Sequence, residues 1–537
     1  MSKPFSKYYL PLVFALLLIA GILIGNQLNF NGNSKAISIY PQHNKLQSVL
    51  NYIEEEYVDT IHQEDLVELM IPKILEELDP HSVYIPPQDL EFTNEQLHGA
   101  FDGIGVQFNL REDTVVIVHP IPGGPSEKVG ILAGDRIIKV GDSLIAGVGV
   151  TTETVMSLLK GKKGTVVDIS IQRYGDEELL PFSITRDKIP IYSLDVAYMM
   201  DEKVGYIKMN RFARNTYQEF IDAGDRLLAQ GMEKLIVDLR GNSGGFMEMA
   251  IKMIDEFFEA GTLIVYTEGK ARPRSESLSK SGGRFTNTPV VVLIDEWSAS
   301  ASEIFAGAIQ DNDRGVIVGR RSYGKGLVQE QREFPDGSAL RLTIARYFTP
   351  TGRSIQTPYE NGKQDDMPFG HPDLSQWNEL AADSSNSTSD TTVYLTPKGK
   401  QVFGGGGITP DHIVAIDTLP LSDFYIKVRN RGLIYQFGFQ YADRHRSELV
   451  ATGDYKSLVK LLDKRNLHES FLDFAASKDI KPSSSDWKRS EKIIRTMIHA
   501  QIARSIFDDQ SYYPLIQEID ESLLIGKSII DTLSYQP

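Results

Sequence analysis

A chain of 537 residues with 41% apolar content exceeds what one ordinary core can hold and is expected to divide into roughly three or four domains. The net charge of −16, with no long Lys/Arg block to neutralise phosphates, argues against a nucleic-acid partner. The lack of cysteine excludes thiol chemistry and Cys-ligated zinc, and no HExxH or comparable histidine cluster supplies a ligand set, so neither a metal nor a cofactor is expected.

Lys3 and Lys7 precede an uncharged run, 8–25, rich in Leu, Ile and Ala and closed by Asn26 and Gln27. That length suits a short membrane span or the apolar region of a signal peptide. Leu23, Ile24 and Gly25 make a poor peptidase site, which favours an uncleaved anchor within 1–30 over a cleaved signal. The positive-inside rule then keeps Lys3 and Lys7 in the cytoplasm and sends the rest of the chain outward; either reading exports the body of the protein.

Residues 43–97 read as helical, with Leu46, Val49, Leu50 and Ile53 and then Leu66, Leu69, Met70, Ile74 and Leu78 at helical spacing. No motif there carries chemistry, and the expectation is a helical cap. From 99 to 188 short apolar strands alternate with glycines, around a single helix at 152–159. The glycine-rich FDGIGV at 101–106, the segment GPSEKVGILAGDRIIKVG and the helix after it resemble a PDZ domain. The resemblance implies a fold that takes a C-terminal peptide as an added strand, its carboxylate held by the loop of Gly103, Ile104, Gly105 and Val106. A small β domain serving as a spacer is the plainer alternative.

Residues 189–357 alternate strands at 204–209, 234–239, 262–266, 290–294 and 316–318 with helices at 216–229, 246–258 and 301–310, and end in strands at 327–334 and 339–347. Such alternation indicates an α/β layered core. A polar, Ser/Thr-rich insertion at 359–403 interrupts it, and 404–417 return to it through GITPD and an apolar run. Residues 419–537 read as a helical accessory domain with no chemical motif.

The chemistry concentrates between Ser298 and Gln329, where SASASE is followed by a glycine-flanked Lys325. A serine needs a base to become a nucleophile, and none of the ten histidines lies between 119 and 371. A histidine brought in from outside is possible in three dimensions but is not the economical reading, which leaves lysine. Each residue also has a plain explanation. Ser300 and Glu303 match a helix capping box, and Lys325 fits an exposed turn. The spacing of Gly319 to Lys325 imitates a phosphate-binding loop, but Gly326 stands where a hydroxyl should bind magnesium and a strand comes next instead of a helix. Upstream, DLRGNSGG at 238–245 is a glycine-rich strand-to-helix turn whose backbone amides can serve as oxyanion donors.

Taken in order, the PDZ-like segment, DLRGNSGG, SASASE, YGKGLVQ at 323–329, FTPTGRSI at 348–355 and GITPD at 407–411 resemble the carboxyl-terminal processing proteases, exported serine peptidases with a serine–lysine dyad. The resemblance spans about 43–417 apart from the insertion. It implies a multidomain α+β protein: a ClpP/crotonase-like α/β protease core with a PDZ-like β domain, an N-terminal helical cap and a C-terminal helical domain. It further implies Ser300 as nucleophile, Lys325 as general base, Gln329 as the residue that positions the lysine, and the Ala301 and Gly244 amides as the oxyanion hole, with Gly245 an alternative for the second place. Substrates would be proteins with apolar C-terminal tails, met in the periplasm by a membrane-anchored or, after cleavage, soluble enzyme; a homo-oligomer or adaptor is a possible partner. A catalytically inactive tail-binding scaffold is the competing class.

Overall fold

The computed structural model describes residues 10–28, 45–111, 113–280, 282–360, 363–364, 392–416 and 419–534. The chain forms two units, Met1–Lys73 and Ile74–Pro537. The first holds the helices Leu10–Leu28 and Lys45–Glu56 and the start of Gln63–Glu76. Lys3, Lys7 and most of the 359–403 insertion lie outside the described residues. Among the described residues no helix is long and apolar enough to cross a membrane. Within the helix Leu10–Leu28, residues 13–22 are exposed.

In the second unit the core is a six-stranded sheet ordered Leu194–Met199, Val204–Met209, Lys234–Asp238, Val290–Ile294, Val316–Gly319, His412–Ile413. The first pair is antiparallel and every later pair parallel. Val290–Ile294 is buried at every position, as its unbroken run of Val, Leu and Ile requires of a strand covered on both faces. One face carries the helices Thr216–Ala229, Met247–Asp255 and Ala301–Asp311. Thr216–Ala229 turns Phe220, Ile221, Ala223, Gly224 and Leu227 inward, the stripe of an amphipathic helix.

The other face is covered by the C-terminal helix Glu521–Thr532, whose Leu523 and Ile530 join Tyr206, Ile236, Val291 and Leu293 in one cluster. Gly526 permits the approach, because a Cβ there would stand 2.9 Å from Leu293 Cδ2. The end of the helical tail thus packs on the core sheet, a contact that the sequence alone did not indicate. Periodicity shows that a helix has an apolar face but not what that face meets. Earlier tail helices pack around Phe424, Phe437, Phe471 and Ile498. Leu433–Arg444 reaches the β domain: Tyr435 accepts from Asn109 at 2.7 Å, Arg111 lies 4.5 Å over its ring, and buried Asp443 pairs with Arg136 at 3.0 Å.

The β domain pairs Val106–Arg111, Thr114–Pro120, Arg136–Val140, Val166–Gln172 and Leu180–Thr185 in that order, with the helix Thr152–Leu159 beside them. Its two connections to the core, Ala100–Gly103 and Asp187–Pro190, pair antiparallel with each other. A further sheet joins Val83–Ile85, Ala339–Phe348, Leu263–Gly269 and Arg272–Leu278, with Leu327–Glu333 beside Ala339–Phe348. The 43–97 segment is therefore not helical throughout: a short strand, Val83–Ile85, precedes the helix Pro87–His98.

Candidate active site

Strands Lys234–Asp238 and Val290–Ile294 are parallel neighbours, with Asp238 paired to Leu293, so the turns after them meet at one edge of the sheet. Ligands gather at such carboxyl ends in open α/β sheets. Ser300 sits there at φ 54 and ψ −111, a region that a non-glycine residue enters only when its surroundings hold it. They do. Ala299 N donates to Asn242 O at 3.1 Å, Ser302 Oγ donates to Asn242 O at 2.8 Å, and Ser298 Oγ donates to Leu239 O at 2.9 Å. Ser298 and Ser302 are thus fully buried stitches between the two turns, while Ser300 opens onto a cavity of about 680 Å³ that Lys325, Gln329, Gly244 and Gly245 also line. That division among three alternating serines was not legible in the sequence.

Lys325 immediately precedes the strand Leu327–Glu333, and Gln329 lies within it. Lys325 Nζ donates to Gln329 Oε1 at 2.8 Å, and Gln329 Nε2 donates to the carbonyl of His81. The amide therefore cannot flip without facing two like groups, and it offers the amine a neutral acceptor. Burial lowers the Lys325 pKa to about 8; the Arg341 cation pushes the same way, while Asp79 and Glu303 pull upward.

Glu303 does more than cap a helix. Its fully buried carboxylate accepts from Ser300 N at 2.8 Å, Lys325 N at 2.9 Å, Gly324 N at 2.6 Å and Ser322 Oγ at 2.6 Å. One side chain thus ties the backbone of the serine to that of the lysine. Burial raises its pKa, against the four donors that stabilise the anion.

A histidine does reach this region. Asp79 accepts from His81 N and Ser82 N, both at 2.8 Å, from Ser82 Oγ at 2.6 Å and from Thr343 Oγ1 at 3.2 Å, fixing the 79–82 turn against Ala339–Phe348. His81 is buried, its Nε2 has no protein partner, and burial together with the Lys325 cation brings its pKa down to about 4. Its imidazole is thus held neutral, and His81 is not among the residues that line the cavity. The last part of the segment expected as a helical cap therefore contributes to the site: the His81 carbonyl holds Gln329, and Asn94 and Leu97, with His98 just beyond them, line the cavity. These contacts span some 250 positions of chain and leave no local sequence signal.

Gly244 and Gly245, the two glycines open for the second oxyanion place, differ in their surroundings. Gly244, at φ +99, packs so closely that a Cβ would lie 2.7 Å from Ala299 O, 2.8 Å from Ser300 Cβ and 2.9 Å from Ala301 N. Its own amide, however, donates to Asn242 Oδ1 at 2.9 Å. Gly245 N and Ala301 N have no protein acceptor among the described residues, and Gly245 lines the cavity. Gly244 gives close approach, and Gly245 has the unengaged amide.

The turn is anchored from behind. Asp238, fully buried, accepts from Tyr206 Oη at 2.7 Å and from Arg240 Nη2 at 2.6 Å. Burial raises its pKa, but Arg240 and Lys208 outweigh that and hold it well below the usual carboxylate range. Arg240 is also gripped by Asp520 of the tail, at 2.8 and 2.7 Å.

In the β domain Val106 lies on an edge strand, paired among the described residues only with Thr114–Pro120. Gly103, Ile104, Gly105 and Val106 all line a groove of about 300 Å³. Ile104 contributes backbone there, since its side chain is buried in the domain's core. Among the described residues no group of three or more His, Cys, Asp or Glu side chains is placed to hold a metal ion.

An α/β core that brings a serine and a lysine to one cavity, with a small β domain attached, is the architecture of a serine-type peptidase. Residues 203–369 match the model of peptidase family S41, residues 103–184 that of the PDZ domain, and residues 424–508 that of a family of unknown function. The chain is 32% identical over 455 residues to the carboxy-terminal processing protease CtpA of Bacillus subtilis (strain 168), covering 83% of this chain and 93% of that protein. It is 29% identical over 441 residues to a probable CtpA-like serine protease of Staphylococcus aureus (strain N315), covering 80% and 83%. Among solved structures, a photosystem II D1 C-terminal processing protease is similar at 24% identity and a TM-score of 0.35, over 72% of this chain and 95% of that one. The chain belongs to the carboxy-terminal processing proteases of peptidase family S41.

Proposed function

We propose that the protein is an exported endopeptidase that captures the C-terminal tail of a substrate protein in the β-domain groove and cleaves it with a Ser300–Lys325 dyad. The observation that carries this is the half-buried Lys325 amine, its pKa brought down to about 8 and its hydrogen bond given to a neutral amide, on the same cavity as Ser300. A lysine becomes a base only when uncharged, and burial without a carboxylate partner achieves that. Ser300 Oγ attacks the scissile carbonyl and gives its proton to Lys325 Nζ, and the oxyanion is received by the Ala301 and Gly245 amides. Lys325 passes the proton to the leaving amine. Water, deprotonated by the same lysine, then hydrolyses the acyl-enzyme. Gln329 and Glu303 keep the lysine in place.

The apolar run 8–25 behind Lys3 and Lys7 supports export and membrane anchoring. The edge strand Val106–Arg111 supports docking of the tail by strand addition. The test is incubation of the purified chain, and of Ser300→Ala and Lys325→Ala, with a polypeptide ending in apolar residues. The dyad predicts cleavage by the unmodified chain alone. Undiminished cleavage by either variant refutes it, and tail binding without any cleavage by the unmodified chain indicates a scaffold.

A further inference from the structure

The docking groove is already occupied at one end by a charge from this chain. Its walls are the edge strand Val106–Arg111 and the helix Thr152–Leu159, and its apolar lining includes Val106, Phe108 and Met156. At the closed end, the amides of Ile104 and Gly105 donate to no protein acceptor among the described residues. A Cβ on Gly103 would lie 3.8 Å from the Cα of Lys160, so the lysine that ends the helix stands beside this loop. Lys160 Nζ is ion-paired to Glu95 Oε2 and lies 5.4 Å over Phe92 and 5.2 Å over Phe101. Both charged side chains are largely withdrawn from water, 26% and 14% exposed.

Glu95 belongs to neither wall. It comes from the helix Pro87–His98, whose Phe92 and Glu95 face the groove while Asn94, Leu97 and His98 face the catalytic cavity. Asn94 Oδ1 accepts from Gln331 Nε2 at 3.0 Å, and Gln331 is two residues beyond Gln329 on the same strand. One helix is thus pinned at the docking site by a carboxylate and at the catalytic strand by an amide.

We propose that Glu95 stands in for the substrate's terminal carboxylate: in the free protein it holds Lys160, and an arriving tail takes Lys160 in exchange and releases the helix Pro87–His98 from the groove. The proposal rests on the docking reading above and adds its selectivity and its control. Exchange of one carboxylate for another leaves the ammonium paired throughout, whereas a neutral chain end would strand it in a half-desolvated site. The latch therefore admits chains with a free C-terminus and disfavours internal segments or blocked ends. It also lowers the apparent affinity for the correct ligand, because only the unlatched fraction binds.

The test uses the full chain carrying Ser300→Ala, so that binding is read without turnover. A fluorescein-labelled peptide ending in Ala-Leu-Ala is titrated as its free acid and as its C-terminal amide, and fluorescence anisotropy gives Kd. The free acid is expected to bind about tenfold more tightly or better. Adding Glu95→Gln is expected to tighten the free acid about three- to tenfold and leave the amide unchanged. Adding Lys160→Met is expected to bring the free acid down to the level of the amide, whose retained binding shows that the groove is intact. Hydrogen exchange across 87–98 should quicken with the free acid and not with the amide. A Glu95→Gln variant that binds no more tightly, or a Lys160→Met variant that keeps the preference, overturns the latch while docking stands. Equal binding of acid and amide by the Glu95- and Lys160-intact protein overturns the carboxylate-docking reading itself, and the latch with it.

Discussion

Replacing Gln329 by glutamate tests the account where charge and geometry separate. The substitution keeps the chain length and an oxygen at the position that now lies 2.8 Å from Lys325 Nζ, but places a negative charge there. A carboxylate this close raises an amine pKa by about 1–3 units, so the present value of about 8 would move to roughly 9–11. With a pKa of about 8, about a tenth of the protein carries neutral Lys325 at pH 7; after the shift the fraction falls roughly tenfold to a thousandfold. The same factor is expected in kcat/KM at pH 7, with recovery toward alkaline pH as the rising limb tracks the amine. Gln329→Met, which removes the acceptor without adding charge, should lose activity through misplacement of the lysine and leave the limb near its original position. The assay is kcat/KM for a quenched fluorogenic peptide from pH 6 to 10. A Gln329→Glu enzyme as active at pH 7 as the unmodified one, or with an unmoved limb, would refute the role given to the neutral amide.

The geometry sets three further outcomes. Removing the Arg341 cation with Arg341→Ala should raise the Lys325 pKa and shift the pH–rate limb toward alkaline pH, by up to about one unit; a shift to acid would contradict the electrostatic assignment. Gly244→Ala should lower kcat by about a hundredfold or more, since its Cβ meets Ala299 O, Ser300 Cβ and Ala301 N and its φ of +99 disfavours any side chain; near-normal turnover would mean that the turn does not have to sit this close to the serine. Asp520→Asn, which keeps the helix cap on Leu523 N but removes the charge facing Arg240, should lower kcat about three- to tenfold at unchanged KM and cost about 1–3 kcal/mol of stability by thermal denaturation. A change confined to KM would place the tail's influence on docking instead.

Much of the α/β core could be read from the chain because its signals are local. Val290–Ile294 announces itself by an unbroken apolar run and Thr216–Ala229 by a helical stripe, whereas Gln329, which accepts a hydrogen bond from Lys325, was named only through the family resemblance. What escaped depends on contacts between distant segments. The Asp79 turn looks like any polar loop until Ala339–Phe348 is set beside it, and Val83–Ile85 is too short to show a period. Glu303 was legible as a cap, because a cap is decided within one helical turn, but its bonds to Gly324 and Lys325 required the fold. Gly244 and Gly245 differ in backbone conformation, in neighbours and in which amide Asn242 takes, and composition cannot express that. The tail's place on the sheet was hidden for the same reason: Asp520 finds Arg240 across 280 positions.

The most direct test of the account is where and when an acylating reagent attaches. The full chain is treated with a fluorophosphonate from pH 6 to 10, digested, and the modified residue is identified by mass spectrometry. The account predicts one modified position, Ser300, a labelling rate that rises through the Lys325 pKa of about 8, and loss of labelling in Lys325→Ala. Label on another serine, or a Lys325→Ala variant modified as fast as the unmodified chain, would contradict it.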